Sequence, residues 1–262
     1  MGTKHRPWLN MIAPVVLGLI LLLGWVLTTA LSNIPRYRLP TPAMVLDELY
    51  IGLISEADMW SFIGNTLSEA LIGCLVGFCL ALPLAVVIYR SEVFSAAILP
   101  FLGATQAIPA IALAPLLVLW IGYGLGAIVA LCTLMVFFPI LVSSVVGFRH
   151  IDRDILNAAE VDGAGPMSML FEMEIPLALH SILAGVRNGF TLSITGAVVG
   201  EMVMGGSGLG SLITIQHSSY NTAGMFATII VLALLAAIIY SIVSVFERRW
   251  SNLIAPLPKG KS

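Results

Sequence analysis

The side chains able to do chemistry in this chain are few and scattered. The four histidines, His5, His150, His180 and His217, lie far apart, and no pair shares ligand spacing with a carboxylate, so no metal site is expected. Cys74, Cys79 and Cys132 sit inside apolar runs without a CxxC pair, which is the setting of small buried apolar side chains. No G-x-x-x-x-G-K-[ST] occurs, so the chain holds no P-loop for ATP. No clustered nucleophile, acid–base pair or metal set marks an integral membrane enzyme. One carboxylate stands out, Glu201, preceded by Ser193 and Thr195 in an apolar segment. At membrane depth a carboxylate costs at least about 2.5–3.5 kcal/mol and faces a bundle interior or water. Near the outer interface the cost is small. Two readings of Glu201 follow, pathway lining and interfacial residue. The most polar stretch lies elsewhere, at 157–176, NAAEVDGAGPMSMLFEMEIP.

The elements that carry these residues are membrane spans. Hydrophobic residues make up 59 % of the 262 and charged residues 10 %, against about a quarter charged in a soluble domain. Mean hydropathy is +1.01. Lipid is the solvent for most of this surface. No basic patch with interleaved aromatics suggests nucleic acid. Six apolar segments are expected, at about 11–31, 66–89, 96–120, 127–147, 177–204 and 226–246. The first is too long for a signal-peptide core and reads as a retained anchor. Residues 32–65 cannot span, although 44–53 suits a short helix. Three glycines in IGYGLGA, 121–127, mark the turn between segments three and four. GGSGLG at 205–210 ends or unwinds segment five.

Six spans leave both termini on one side. With those termini cytoplasmic, ten basic residues fall inside, and only Arg36 and Arg38 fall outside. That asymmetry sets the orientation and puts the loop 149–176 in the cytoplasm. Segment three carries Pro100, Pro109 and Pro115 around Gln106. Bent, polar-dotted helices of this kind line transport pathways, although proline is also frequent in membrane helices generally. Gln106, Ser193, Thr195 and Glu201 are the pathway candidates. In the loop, Ile151, Ile155, Ala158, Ala159 and Asp162 recur at helical spacing. Gly163 and Gly165-Pro166 break that helix, a second short helix fits 167–173, and Pro176 marks entry into segment five.

The loop resembles the EAA motif of ABC importer permeases: EAA, three residues, G, nine residues, I-x-L-P. Asn157-Ala158-Ala159 is followed by three residues and Gly163, and nine more lead to Met173-Glu174-Ile175-Pro176. Asn157 stands where the family has Glu. RLPTPAMVLDEL at 38–49, AIPAIALAPLLVLWIGYG at 107–124 and VVGEMVMGGSGLG at 198–210 extend the likeness to the nitrate, sulfonate and taurine branch.

The resemblance implies an all-α integral membrane protein with six transmembrane helices and the type I importer permease (MetI-like) fold. Its divisions are an anchor and periplasmic connection (1–65), a core (66–250) with the coupling loop, and a cytoplasmic tail (251–262). It implies a permease subunit of the bacterial inner membrane rather than an enzyme. A separate ABC ATPase, in two copies, binds ATP and Mg, and this chain carries no cofactor of its own. The other partners are a periplasmic or lipid-anchored substrate-binding protein, a second copy of the chain, and lipid. Asn157, Ala158, Ala159, Asp162, Gly163, Ala164 and Pro176 are the expected ATPase-coupling residues. The rival is an ion-gradient-driven secondary transporter using Glu201.

Overall fold

The computed structural model describes residues 7–32, 34–106 and 109–254, and all regular structure among them is helical. In chain order the helices are α1 (Pro7–Leu31), α2 (Pro42–Tyr50), α3 (Met59–Arg90), α4 (Glu92–Gln106), α5 (Ala114–Ile121), α6 (Leu125–Arg149), α7 (Arg153–Val161), α8 (Pro166–Ser168), α9 (Ile175–Met204), α10 (Leu209–Ser218) and α11 (Thr222–Ile254). Wider π-type turns extend α2 over Ile51–Ser55 and join α8 to α9 over Met169–Glu174. The turn between α5 and α6 lies where the glycines predict it. Gly122 and Gly124 sit there at φ 95° and 99°, a region that side chains with a Cβ avoid.

Among the described residues, five helices are long and apolar enough to cross a membrane: Ile12–Leu31, Met59–Arg90, Leu125–Arg149, Pro166–Met204 and Thr222–Glu247. The expected third span, 96–120, is not one helix. It divides into α4 and α5, with a 3-10 turn at Ala110–Leu113 leading into α5. Pro109 and Pro115 flank that turn and lack the N–H groups a continuous helix would use. Residues 107 and 108 lie outside the described residues.

Pro176 stands in the first turn of α9, where entry into segment five is expected, after the short helical stretch of α8 and its π-type turn. The three run on as an unbroken helical stretch of 39 residues, Pro166–Met204, about 58 Å long at 1.5 Å per residue. Pro176 would clash with the carbonyl four residues before it in a regular α-helix. The wide turn over Met169–Glu174 loosens the backbone at that point.

The chain divides into two compact units, Met1–Trp60 with Leu212–Val231 and Ser61–Ser211 with Leu232–Ser262. In the first, the Trp25 indole donates to the Pro40 carbonyl at 3.0 Å and packs on Phe226. Asn221 donates to Glu48 at 3.0 Å, and Thr222 to the Tyr37 carbonyl at 2.6 Å. The polar connection between α1 and α3 is thereby fastened at three points. The apolar side chains of α1 remain exposed, as a lipid-facing anchor requires.

The second unit is built on α6 and α9. Helix α6 buries residues around its whole circumference, among them Ile128, Leu131, Cys132, Val136, Ile140 and Leu141. It presses against a row of glycines on α9. A Cβ on Gly185 would come within 2.7 Å of Ser143 Cβ, and one on Gly189 within 3.0 Å of Val136 Cγ1. Lipid supplies no hydrophobic drive between helices, so close backbone approach over small residues supplies the contact. Ser193 donates to the Ala70 carbonyl at 2.7 Å and ties α9 to α3.

Candidate functional site

Helix α7 begins because Asp152 caps it. The Asp152 carboxylate accepts from the Asp154 N–H at 3.0 Å, satisfying one of the free donors of the first turn. The helix ends in a Schellman motif. The Ala164 N–H donates to the Ala159 carbonyl and the Gly163 N–H to the Glu160 carbonyl, each at 3.0 Å. Gly163 takes φ 90°, as this cap demands. The spacing of Ala159 and Gly163 therefore has a mechanical cause: the second alanine supplies the carbonyl that the left-handed turn closes on.

Five of the seven expected coupling residues line one groove. Ala158, Ala159, Asp162, Gly163 and Ala164 face Ser168 and Met173 of the returning helix across a space of about 820 Å³. Asn157 does not join them. It lines a different recess, with Arg90, Arg149, Arg153, Glu160 and Glu174. Pro176 lines neither. Ile155 lines the groove as a partly exposed apolar residue, and the same loop exposes Val161 at 87 %, Met167 at 70 % and Phe171 at 62 %.

The brace of this loop went unread in the sequence. Arg90, the last residue of α3, donates to Glu174 Oε2 at 2.7 Å and to the Pro166 carbonyl at 3.1 Å. Glu174 is nearly buried. Arg149, at the end of α6, donates to Ser95 Oγ at 2.5 Å. In the sequence, Arg90 counted only as one more cytoplasmic charge. The signal available was its place as the terminal residue of a span, level with the returning loop.

The pathway candidates fall in different places. Ser193 is buried and bonded to Ala70. Thr195 is exposed on α9 and donates to the Thr191 carbonyl at 3.4 Å. Gln106 closes α4, and its side chain lies outside the described residues. Glu201 is 1 % exposed. Its Oε1 accepts from Thr66 Oγ1 at 2.7 Å and its Oε2 from the Gly210 N–H at 2.5 Å. The Leu209 N–H donates to Thr66 Oγ1 at 2.8 Å. A Cβ on Gly208 would collide with Glu201 Oε1 and Thr66 Oγ1. GGSGLG is thus a cradle for the Glu201 carboxylate, placed by the end of α9 at Gly205, φ 70°. The sequence reading passed over a second buried carboxyl. Glu69, on α3, meets Glu201, and its Oε2 has no hydrogen-bond partner among the described residues. It lay in view as an acid inside the second apolar segment.

Farther along α9, Arg187 donates to Glu247 Oε2 at 2.7 Å and lies over the Tyr240 ring at 5.1 Å. His180 approaches the other oxygen of Glu247 at 3.5 Å.

Residues 73–252 match the model of the binding-protein-dependent transport system inner membrane component. The chain belongs to this family. The chain is a permease component of an ABC importer for a small solute. The riboflavin transport system permease protein RibX of Chloroflexus aurantiacus is 38 % identical over 93 % of this chain and 91 % of that protein. The formylaminopyrimidine transport permease protein ThiX of Halalkalibacterium halodurans is 30 % identical over 94 % and 96 %. The putative aliphatic sulfonates transport permease protein SsuC of Bacillus subtilis is 26 % identical over 96 % and 91 %. Among solved structures, an inward-facing MetNI methionine ABC transporter superposes with a TM-score of 0.67 at 20 % identity, over 75 % of this chain and 99 % of that one. That likeness shows the MetI-type fold. The relatives are transport permeases, not enzymes, and permeases of this family work with an ATPase and a substrate-binding protein.

Proposed function

We propose that two copies of this chain form the translocation pathway of an ATP-driven importer of the bacterial inner membrane, and that α7 is its coupling helix. ATP and Mg bind to a separate ATPase present in two copies. A periplasmic or lipid-anchored binding protein delivers the solute. Both termini and the loop 149–176 face the cytoplasm, and the positive-inside count supports this orientation.

One observation carries the reading. A short helix with a small-residue shoulder is locked by Gly163 onto a helix that runs without a break from Pro166 to Met204. A helix seated in a partner's groove is a common recognition mode. A displacement applied at α7 passes into a rigid rod rather than a slack linker. Val161, Met167 and Phe171 add apolar surface beside the shoulder. The rival, a gradient-driven transporter, needs Glu201 free to exchange ions. Both oxygens of that carboxylate are instead taken up by the chain's own donors, which favours the importer reading.

The solute class extends beyond nitrate, sulfonates and taurine. Two relatives above 25 % identity are named for heterocycles, riboflavin and formylaminopyrimidine. We include neutral heterocycles of that kind among the substrates proposed here.

The deciding experiment is co-purification with the ATPase. Wild type retains it, while Ala158→Arg and Gly163→Pro lose it and lose uptake. Retention by both variants, with uptake that collapses on adding a protonophore and requires Glu201, overturns the proposal in favour of the gradient-driven transporter.

A further inference from the structure

A third cavity, of about 650 Å³, opens between α6, α9 and the turn that follows Pro109. Its size suits a small ligand, and such sites combine apolar walls with a few placed polar groups. The walls include Met135, Phe138 and Leu192. The polar side chains are Ser143 and Asn188, and none of the lining residues is charged. Neither Ser143 nor Asn188 is engaged in a side-chain hydrogen bond among the described residues. A third polar group comes from the backbone. Pro139, inside α6, has no N–H for the carbonyl of Met135, and both residues line the cavity. Freed backbone groups are tolerated at membrane depth where they border a cavity.

The missing charge decides the kind of occupant. An anion here meets no cation, and an unpaired charge out of water is costly. Arg187 is the adjacent residue on α9, but Glu247 and Tyr240 already hold it. The Asn188 amide offers a donor and an acceptor side by side, the complement of an N–H next to a carbonyl. Phe138 and Met135 offer a ring face and a polarizable sulfur, both favourable to a flat ring. We infer that this cavity receives the transported solute, and that the solute is an uncharged planar heterocycle carrying adjacent N–H and C=O groups. The inference rests on the importer reading and narrows its substrate class.

The test is direct binding to the purified full-length chain in detergent, followed by the fluorescence of lumichrome, a neutral fused-ring imide. Wild type quenches it saturably, and taurine, a sulfonate, does not compete. Asn188→Leu weakens binding about tenfold, the loss expected when a ligand's hydrogen-bonding groups go unmatched. Asn188→Gln restores part of it, and Ser143→Ala weakens binding by a smaller factor. Melting temperatures within one or two degrees of wild type, roughly the shift of a fraction of a kcal/mol, show that the variants fold. Absence of saturable quenching, equal binding by Asn188→Leu and Ser143→Ala, or competition by taurine overturns the inference. So does a lipid that stays bound in the cavity and excludes lumichrome. Any of these results beside intact ATPase co-purification removes the substrate class and leaves the importer reading standing.

Discussion

Thr66 donates its hydroxyl proton to the Glu201 carboxylate at 2.7 Å, across 135 positions of sequence. The bond joins α3 to the C-terminal end of α9, and the Leu209 N–H completes the chain by donating back to Thr66. A carboxylate held this way organises the glycine-rich turn after α9.

Removing the carboxylate strands a donor. Glu201→Ala leaves the buried Thr66 hydroxyl without its carboxylate acceptor, which costs about 1–3 kcal/mol. Glu201→Gln keeps one acceptor and costs less. Thermal unfolding in detergent should rank wild type above Glu201→Gln and Glu201→Gln above Glu201→Ala. Equal midpoints for all three would mean that the cradle does not bear on stability.

The same cradle makes a prediction about volume. Gly208→Ala places a methyl on Glu201 and Thr66, so it should destabilise as strongly as losing the carboxylate. Gly165→Ala, with nothing within 4 Å of the added Cβ, should match wild type in the same melt.

In the loop 149–176, Gly163→Ala forces an L-residue into the left-handed region, at about 1–2 kcal/mol. The strain falls on α7 and leaves α6 and α9 untouched. Hydrogen exchange should therefore speed up at the α7 amides alone, with less ATPase retained. Unchanged exchange at the Gly163 and Ala164 amides would contradict the cap.

Arg90 and Glu174 lend themselves to a double-mutant cycle. Arg90→Leu leaves a nearly buried carboxylate unpaired, and we expect a loss of about 1–2 kcal/mol, discounted because Arg90 is partly exposed. Arg90→Leu with Glu174→Leu should recover most of that loss, since no charge is left stranded. Denaturation of the four proteins in detergent measures the coupling, and additive losses would show that the pair does not brace the loop.

In the α6–α9 seam, Gly185→Leu drives a side chain into Ser143 and the α6 backbone, and overpacking of this kind costs about 1–3 kcal/mol or more. Low yield and early elution as aggregate on size exclusion are the expected readout. A monodisperse Gly185→Leu with the wild-type melt would mean that the helices do not approach as closely as described.

Much of this architecture was legible without coordinates because it depends on local chemistry. Runs such as 11–31 are apolar along their whole length, and lipid selects them wherever they fall. Gly163 could be placed in a turn, and Asp152 near a helix start, because backbone conformation and capping act over a few residues. The π-type turn that joins α8 to α9 ahead of Pro176 was not legible, since helical periodicity does not mark where a backbone widens. Nor was the division of segment three, where apolar character alone gives no sign of where the backbone turns.

The sequence by itself determined the spans other than segment three, the polarity of the loop 149–176 and the glycine that closes it, all consequences of short-range preference and of burial in lipid. Only the tertiary structure decided that Glu69, Thr66 and Glu201 meet, that Arg90 grips Glu174, and that Asn188 faces an uncharged cavity. Each of those contacts joins residues far apart in the chain. Their pairing depends on how small residues let α3, α6 and α9 approach, and helical periodicity does not encode that distance.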